Sequence, residues 1–440
     1  MVGEAAKGLG EVLAEVKLDE GEANAVDILL IEGIRTFYPK LYKTIRDNPD
    51  LFLHSDIVAG ERNDARRQRI NELIDGGLPG VEASDKRAVR RELLESIFPR
   101  LRYVGYGADW DKEWEEGQRI CSPHYFNRYF TYSVPPGDIS DLEVGELLEA
   151  LEQPDVLAPD AVLAQFAAED AMPQLIRKLP RREDGISAAA ARQLILAVGR
   201  NGALMPRERR TLLGEATYVQ AGILVARLLR SIPAGADREA LAAEVIRTAE
   251  PLPFSWECFS WIHHNDDRPE DKRILSDEAE ARIAPILAQR IAESASAGPL
   301  YATFGRDARR LYWFWGKYGD AAAVRVHLSE RFAAHPEEVD AFIDPFVGVG
   351  REIETGVHLR MDFDRGSYAS IAELIDPAII FANLRQRYGA ELDTAAFYQG
   401  REVPIPTRFA RQFAFVHRSV QNEIARGQAP GAAQPQPGQE

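Results

Sequence analysis

The chain is poor in cysteine. Two stand among 440 residues, Cys121 and Cys258, and they form no spaced framework. That excludes a disulfide-stapled scaffold and a cysteine-rich zinc module, and it favours a reducing, cytoplasmic setting. Long apolar runs are lacking too. The most apolar long window, residues 211–232, contains Glu215, Arg227 and Arg230, so no membrane segment is expected. The opening MVGEAAKGLGEVLAEV carries glutamates and no apolar h-region, so no secretory leader is expected. Positive charge is in deficit: the formal net charge is -16. Broad binding to nucleic acid or to acidic membranes is therefore disfavoured, because phosphates repel such a chain.

Catalytic signatures are equally scarce. The Gly316-Lys317 pair is followed by Tyr318, and Leu311 stands where the leading glycine of a phosphate loop belongs. Gly348 and Gly350 begin a dinucleotide fingerprint that Ile353 breaks. No GxSxG elbow occurs, and Cys121 before His124 reads as a small packing residue. Asp362 and Asp364 start like a calcium loop, but Gly366 comes one position early and no closing glutamate follows. The best metal-like group is Glu257, His263, His264, Asp266 and Asp267. Neighbouring histidines on a helix point apart, and HExxH spacing is missing, so a helix end running into a solvated acidic loop is favoured over a metal-dependent hydrolase. No catalytic, cofactor-binding or metal residue is assigned, and no cofactor is expected in this chain.

What is present is helical periodicity. Ile31, Ile34, Tyr38, Leu41, Tyr42 and Ile45 keep one face apolar across Pro39, which can open a new helix. Val89, Leu93 and Ile97 form another stripe that Pro99 ends. Residues 129–134 (YFTYSV), aromatic and β-branched, predict a short strand stopped by Pro135-Pro136-Gly137-Asp138. Ser140-Asp141-Leu142-Glu143 then predicts a capping box opening a helix. The class is thus mainly α and multi-helical, with an irregular α-solenoid as one reading of the C-terminal half. The expected domains are 1–138, 139–421 and a disordered Pro/Gln/Gly-rich tail, 422–440.

Three surfaces invite a partner. Residues 176–210 are locally basic through Arg177, Lys178, Arg181, Arg182, Arg200, Arg207, Arg209 and Arg210, for which a solvated helix and loop face is favoured over phosphate contact. The run Leu311-Tyr312-Trp313-Phe314-Trp315, with Tyr301, Phe304 and Tyr318, reads as helical core before it reads as a base-stacking platform. Tyr125, Phe126, Arg128, Tyr129 and Phe130 combine aromatics with arginine, the composition of an interface anchor or of a core.

Two segments carry a family likeness: residues 26–53 (VDILLIEGIRTFYPKLYKTIRDNPDLFL), and residues 98–143 with FPRL, YG, W and RICSPHYFNRYFTYSVPPGDISDLE. Together they resemble the region that follows the nucleotide-binding core in KAP-family P-loop NTPases, the family that includes the PifA phage-exclusion protein. DEAEARIAPILAQRI, LYWFWGKYG and LIDPAIIFANL are similar in character to that family's C-terminal helices. The resemblance implies a core ahead of residue 26, where Met1 stands close by, so a split subunit, a truncated frame or a late start is expected. It also implies a regulatory or sensor role in bacterial signalling or phage defence, with ATPase activity belonging to the missing core. Part of the 125–130 block would dock on that core. A stand-alone helical adaptor is the alternative, and a metal-dependent hydrolase the lesser one.

Overall fold

A computed structural model describes Leu18 and residues 22–53, 61–102, 108–135, 138–152, 158–180, 186–208, 215–263, 273–351, 358–394, 396–400 and 402–427. The fold is mainly α. Among these residues the sheet is a single antiparallel pair, β1 (Val349–Arg351) and β2 (His358–Arg360), with Gly350 opposite Leu359. The chain divides into two compact units, one of Met1–Gln193 with Leu204–Pro206, the other of Leu194–Ala203 with Arg207–Glu440. The boundary expected near Asp138 falls inside the first.

In the first unit, α1 (Ala25–Phe37) starts where the Asn24 side chain accepts from the N–H groups of Val26 and Asp27. It packs on α2 (Pro39–Asp47), which begins at Pro39 as the fixed φ of proline allows. Helix α3 (Glu61–Gly77) packs on α2. Ile31, Ile34, Leu41, Ile45, Phe52, Phe98 and Trp114 form the core with Ile120, Cys121, Tyr125, Phe126 and Tyr129. The capping box is present: Ser140 Oγ accepts from Glu143 N–H at 2.9 Å, and the Glu143 carboxylate accepts from Ser140 N–H at 2.7 Å. It opens α4 (Asp141–Leu151), which packs on α5 (Met172–Lys178).

The expected strand at 129–134 is not formed. Residues 122–132 run through successive turns into a helical turn, Arg128–Thr131, that Tyr132 ends at φ 52°. The spacing explains the difference. Tyr125 with Tyr129, and Phe126 with Phe130, stand four apart, which faces each pair inward on a helical turn, and this packing overrides β propensity.

The second unit packs sequence neighbours. Helix α6 (Thr217–Ser231) lies on α8 (Leu252–Ile262), and α7 (Ala236–Thr248) lies on α8 and on α9 (Asp277–Ala297). Helix α9 packs on α10 (Ala308–Tyr318), and α10 on α11 (Ala321–Ala334). The last part gathers α12 (Arg365–Ala372) and α13 (Pro377–Tyr388) against α14 (Ile405–Ala425). Helix α14 thus runs into the expected tail as far as Ala425, and residues 428–440 lie outside the described ones.

Candidate functional site: an arginine–tryptophan cleft

The 125–130 block is interior. Tyr125, Phe126, Arg128 and Tyr129 are buried, and Phe130 packs half-buried against the same core. Arg128 donates to Asp138 Oδ2 at 2.7 Å, to Ile139 O at 3.0 Å and to the buried Glu22 carboxylate. Its guanidinium lies 4.7 Å from the Tyr125 ring centroid, and Tyr125 OH donates to Asp141 Oδ2 at 2.8 Å. Tyr129 OH accepts from Asn24 N–H at 2.8 Å and donates to Gln118 O. Burial and then the Asp141 charge push the Tyr125 phenol well up. Burial also depresses the Lys178 ammonium, which pairs with Asp141 at 3.4 Å. The block therefore ties residues 22–24 to residues 138–141 and presents none of its four buried side chains to a partner in this conformation.

Of the described basic residues in the stretch 176–210, Arg177, Lys178 and Arg207 are engaged by internal partners. Arg177 pairs with Glu115 at 3.0 Å and contacts His124, whose imidazole is held down to about 3 by burial and the Arg177 charge. Lys178 is buried, and Arg207 pairs with Asp307 while lying 4.2 Å over the Tyr218 ring. Arg181, Arg182, Arg209 and Arg210 lie outside the described residues. So do His264, Asp266 and Asp267. The two described members of that metal-like group face different partners: Glu257 accepts from Trp261 Nε1 at 2.8 Å, and His263 Nδ1 sits 2.6 Å from Glu280. Asp362 accepts from Gln412, and Asp364 caps α12, so their calcium-like spacing serves local structure. A group that could reach one ion among the described residues is His335, Glu337 and Glu338, but Glu338 is already engaged by Arg331 and Tyr301.

The arrangement best suited to a ligand lies in the second unit, around α10. Leu311, Tyr312, Phe314 and Trp315 of the aromatic run are buried, as core packing requires, but Trp313 is 41% exposed. Ahead of it, Gly305 adopts φ 53°, ψ −122°, a conformation open to glycine and costly for other residues. The turn it makes ends the short helix Leu300–Phe304 and starts the 3₁₀ turn Gly305–Asp307. Arg306, Arg309, Arg310 and Trp313 then recur at three- and four-residue intervals, which puts them on one helical face.

That face forms a wall of a cleft of about 810 Å³. Trp256 of α8, Pro345 and Phe346, and Ser370, Glu373 and Leu374 complete it. Arg310 lies 4.7 Å over the Trp256 ring. Arg309 donates to Ser370 Oγ at 3.2 Å and lies 6.0 Å from the Phe346 ring. Arg306 donates to Val347 O at 3.3 Å. Burial and the neighbouring Arg360 charge lower the Arg306 pKa from an ordinary guanidinium value. None of the three forms an ion pair with a described carboxylate. The lining Asp307 is taken by Arg207. A guanidinium carries five N–H donors in a planar fork, so each arginine keeps donors open to the cleft.

No protein-family model, no curated protein and no solved structure matches this chain. The signal for one wall of the cleft was nevertheless in the sequence. RDARRLYW carries arginines and an exposed tryptophan at helical spacing, beside the buried positions that the core reading accounts for.

Proposed function

We propose that this chain is a non-catalytic helical binding protein whose second unit captures an anionic group in the Arg306–Arg309–Arg310 cleft. The observation that carries the reading is the set of three arginines, aligned on one face, unpaired by any described carboxylate, and set in a concavity with aromatic walls. A cleft of a few hundred to a thousand Å³ with a few convergent polar groups is the usual form of a ligand site. Its chemistry is recognition: guanidinium forks supply donors to an oxyanion and do not by themselves supply a nucleophile or a general base.

The resemblance of residues 26–53 and 98–143 to the post-core region of KAP-type P-loop NTPases supplies the partner class. On that reading the chain regulates or senses for an NTPase core in a bacterial signalling or phage-defence setting. The stand-alone adaptor reading is favoured by a different feature. Val26, Leu29 and Phe37 lie exposed on one side of α1, at 62%, 39% and 66%, which suits a protein contact. Both readings make the protein a binder.

The test is a calorimetric titration of the full chain with inorganic pyrophosphate. Binding is expected, with affinity falling as salt rises, because screening weakens exposed charge contacts. Replacing Arg309 and Arg310 together by glutamine should weaken it at least about tenfold, the loss of one or two charge-assisted bonds. Pyrophosphate that fails to bind at millimolar concentration, or that binds the double variant equally well, refutes the cleft as an anion site.

A further inference from the structure

We infer that the cleft takes a nucleoside phosphate, with the phosphates on the arginines and the base against Trp313. This rests on the anion-binding reading above and names its ligand. The first ground is the pairing of chemistries on one wall. Trp313 stands one turn beyond Arg309 and Arg310, and its 41% exposure leaves apolar indole surface in water. An indole face stacks on any nucleobase. Trp256 and Phe346 give the cleft two more aromatic surfaces, and Arg310 over Trp256 makes a flat cationic shelf on which a base can also stack.

The second ground is size. About 810 Å³ suits a mononucleotide-sized ligand. The third is charge. A chain of net charge -16 repels a long polyanion, whereas a small ligand samples only charges within a Debye length of about 8 Å. The cleft lining sets Arg306, Arg309 and Arg310 against Asp307, which Arg207 holds, and Glu373, and beside it Lys317 lies 4.8 Å over the Trp313 ring. Two of the arginines are held at one N–H, by Ser370 Oγ and by Val347 O, so their forks are oriented before a ligand arrives. Glu373, the remaining lining carboxylate, is an acceptor for sugar hydroxyls.

The experiment titrates the full chain with ADP, GDP, CDP, UDP and pyrophosphate, following heat and tryptophan fluorescence. At least one diphosphate nucleoside is expected to bind about tenfold or more tighter than pyrophosphate, the contribution of one stacked base. Trp313→Leu should erase that advantage and the fluorescence change while leaving pyrophosphate affinity in place. Trp313 is exposed, so unchanged pyrophosphate binding also shows that the variant is folded. If pyrophosphate binds through the arginines but all four nucleotides bind within about threefold of it, or if Trp313→Leu leaves the ratio intact, the nucleotide inference falls. The anion cleft would then stand and point to a phosphate-bearing polypeptide. If neither class binds at millimolar concentration, both readings fall.

Discussion

Replacing Arg128 by methionine tests the interior network of the first unit. The guanidinium is fully buried and sits among Glu22, Asp138 and Asp141, whose side chains are 0%, 13% and 8% exposed. Lys178 remains to face Asp141, but Glu22 and Asp138 lose their ion-pair partner and keep only the N–H groups of Leu142 and Ile139. Removing one member of a buried ion pair costs about 3–5 kcal/mol, because the surviving charge stays desolvated and unpaired. Methionine fills much of the volume, so the cavity contribution is small beside that. For a unit near two hundred residues, each kcal/mol shifts the midpoint by about 2–4 °C, so a drop of roughly 6–20 °C is expected in scanning calorimetry. Adding Glu22→Gln to the methionine variant should recover part of the loss, about 0.5–3 kcal/mol of coupling, since it removes one stranded charge. A single-variant loss under about 1 kcal/mol, or a double variant that adds its losses without recovery, would show that water already reaches these groups and would refute the network.

Gly202→Ala would put a Cβ 2.2 Å from the Phe254 ring and 2.6 Å from Glu250 O, so about 1–3 kcal/mol or more of overpacking should appear as a lower urea midpoint. Gly305→Val forces a branched side chain into φ 53°, costing about 1–3 kcal/mol of strain, and should weaken pyrophosphate binding along with stability, because the turn positions Arg306. Burial pushes the Cys121 thiol up to about 12 and the Cys258 thiol higher still, so neither should react with a thiol reagent at pH 8 until the protein unfolds. Burial likewise raises the phenols of Tyr125, Tyr129, Tyr218 and Tyr301. Above the unfolded values of 9.0 and 10.0 for these thiols and phenols the unfolded chain has released protons that the folded one keeps. Stability should therefore fall as pH rises past about 9, with tyrosinate absorbance appearing together with unfolding.

Local rules carried far where one physical cause dominated. Pro39 at the start of α2, the Ser140–Glu143 box opening α4 and the buried faces of α1 and α10 follow from backbone chemistry and helical period alone. The segment 129–134 failed because two tendencies competed. β propensity favoured a strand, and the four-residue spacing of Tyr125, Phe126, Tyr129 and Phe130 favoured turns that bury the first three and pack Phe130 against them, which only the packed core could decide. The same block read equally as core or interface, because both want aromatics with arginine. Burial separates them, and burial of Arg128 depends on Glu22 and Asp138, 106 and 10 residues away. The cleft was half legible. Its α10 wall is a local stripe, but Trp256, Phe346 and Ser370 reach it from three other segments, and no spacing in the sequence announces that meeting.

Core packing accounts for Leu311, Tyr312, Phe314 and Trp315 and says nothing about the residues between them. Positions 306, 309, 310, 313 and 317 face away from that core, where an acidic chain has many carboxylates to offer. Arg, Arg, Arg, Trp and Lys stand there instead. Like charges three and four apart on a helix repel by a few tenths of a kcal/mol per pair, and none of these forms an ion pair with a described carboxylate. An exposed indole adds unburied apolar area. As a solvated surface the stripe is therefore worse than an ordinary mix of charges. A bound anion reverses each term at once: it neutralises the repulsion, satisfies the open guanidinium donors and, if it carries a flat ring, covers Trp313. The stripe should accordingly be stabilised by ligand in proportion to RT ln(1 + [L]/Kd), so pyrophosphate or a nucleotide at a hundred times its Kd should raise the second unit's stability by about 2.7 kcal/mol. That rise should be absent when Arg309 and Arg310 are both glutamine. A rise that persists in the double variant would place the anion elsewhere on the protein.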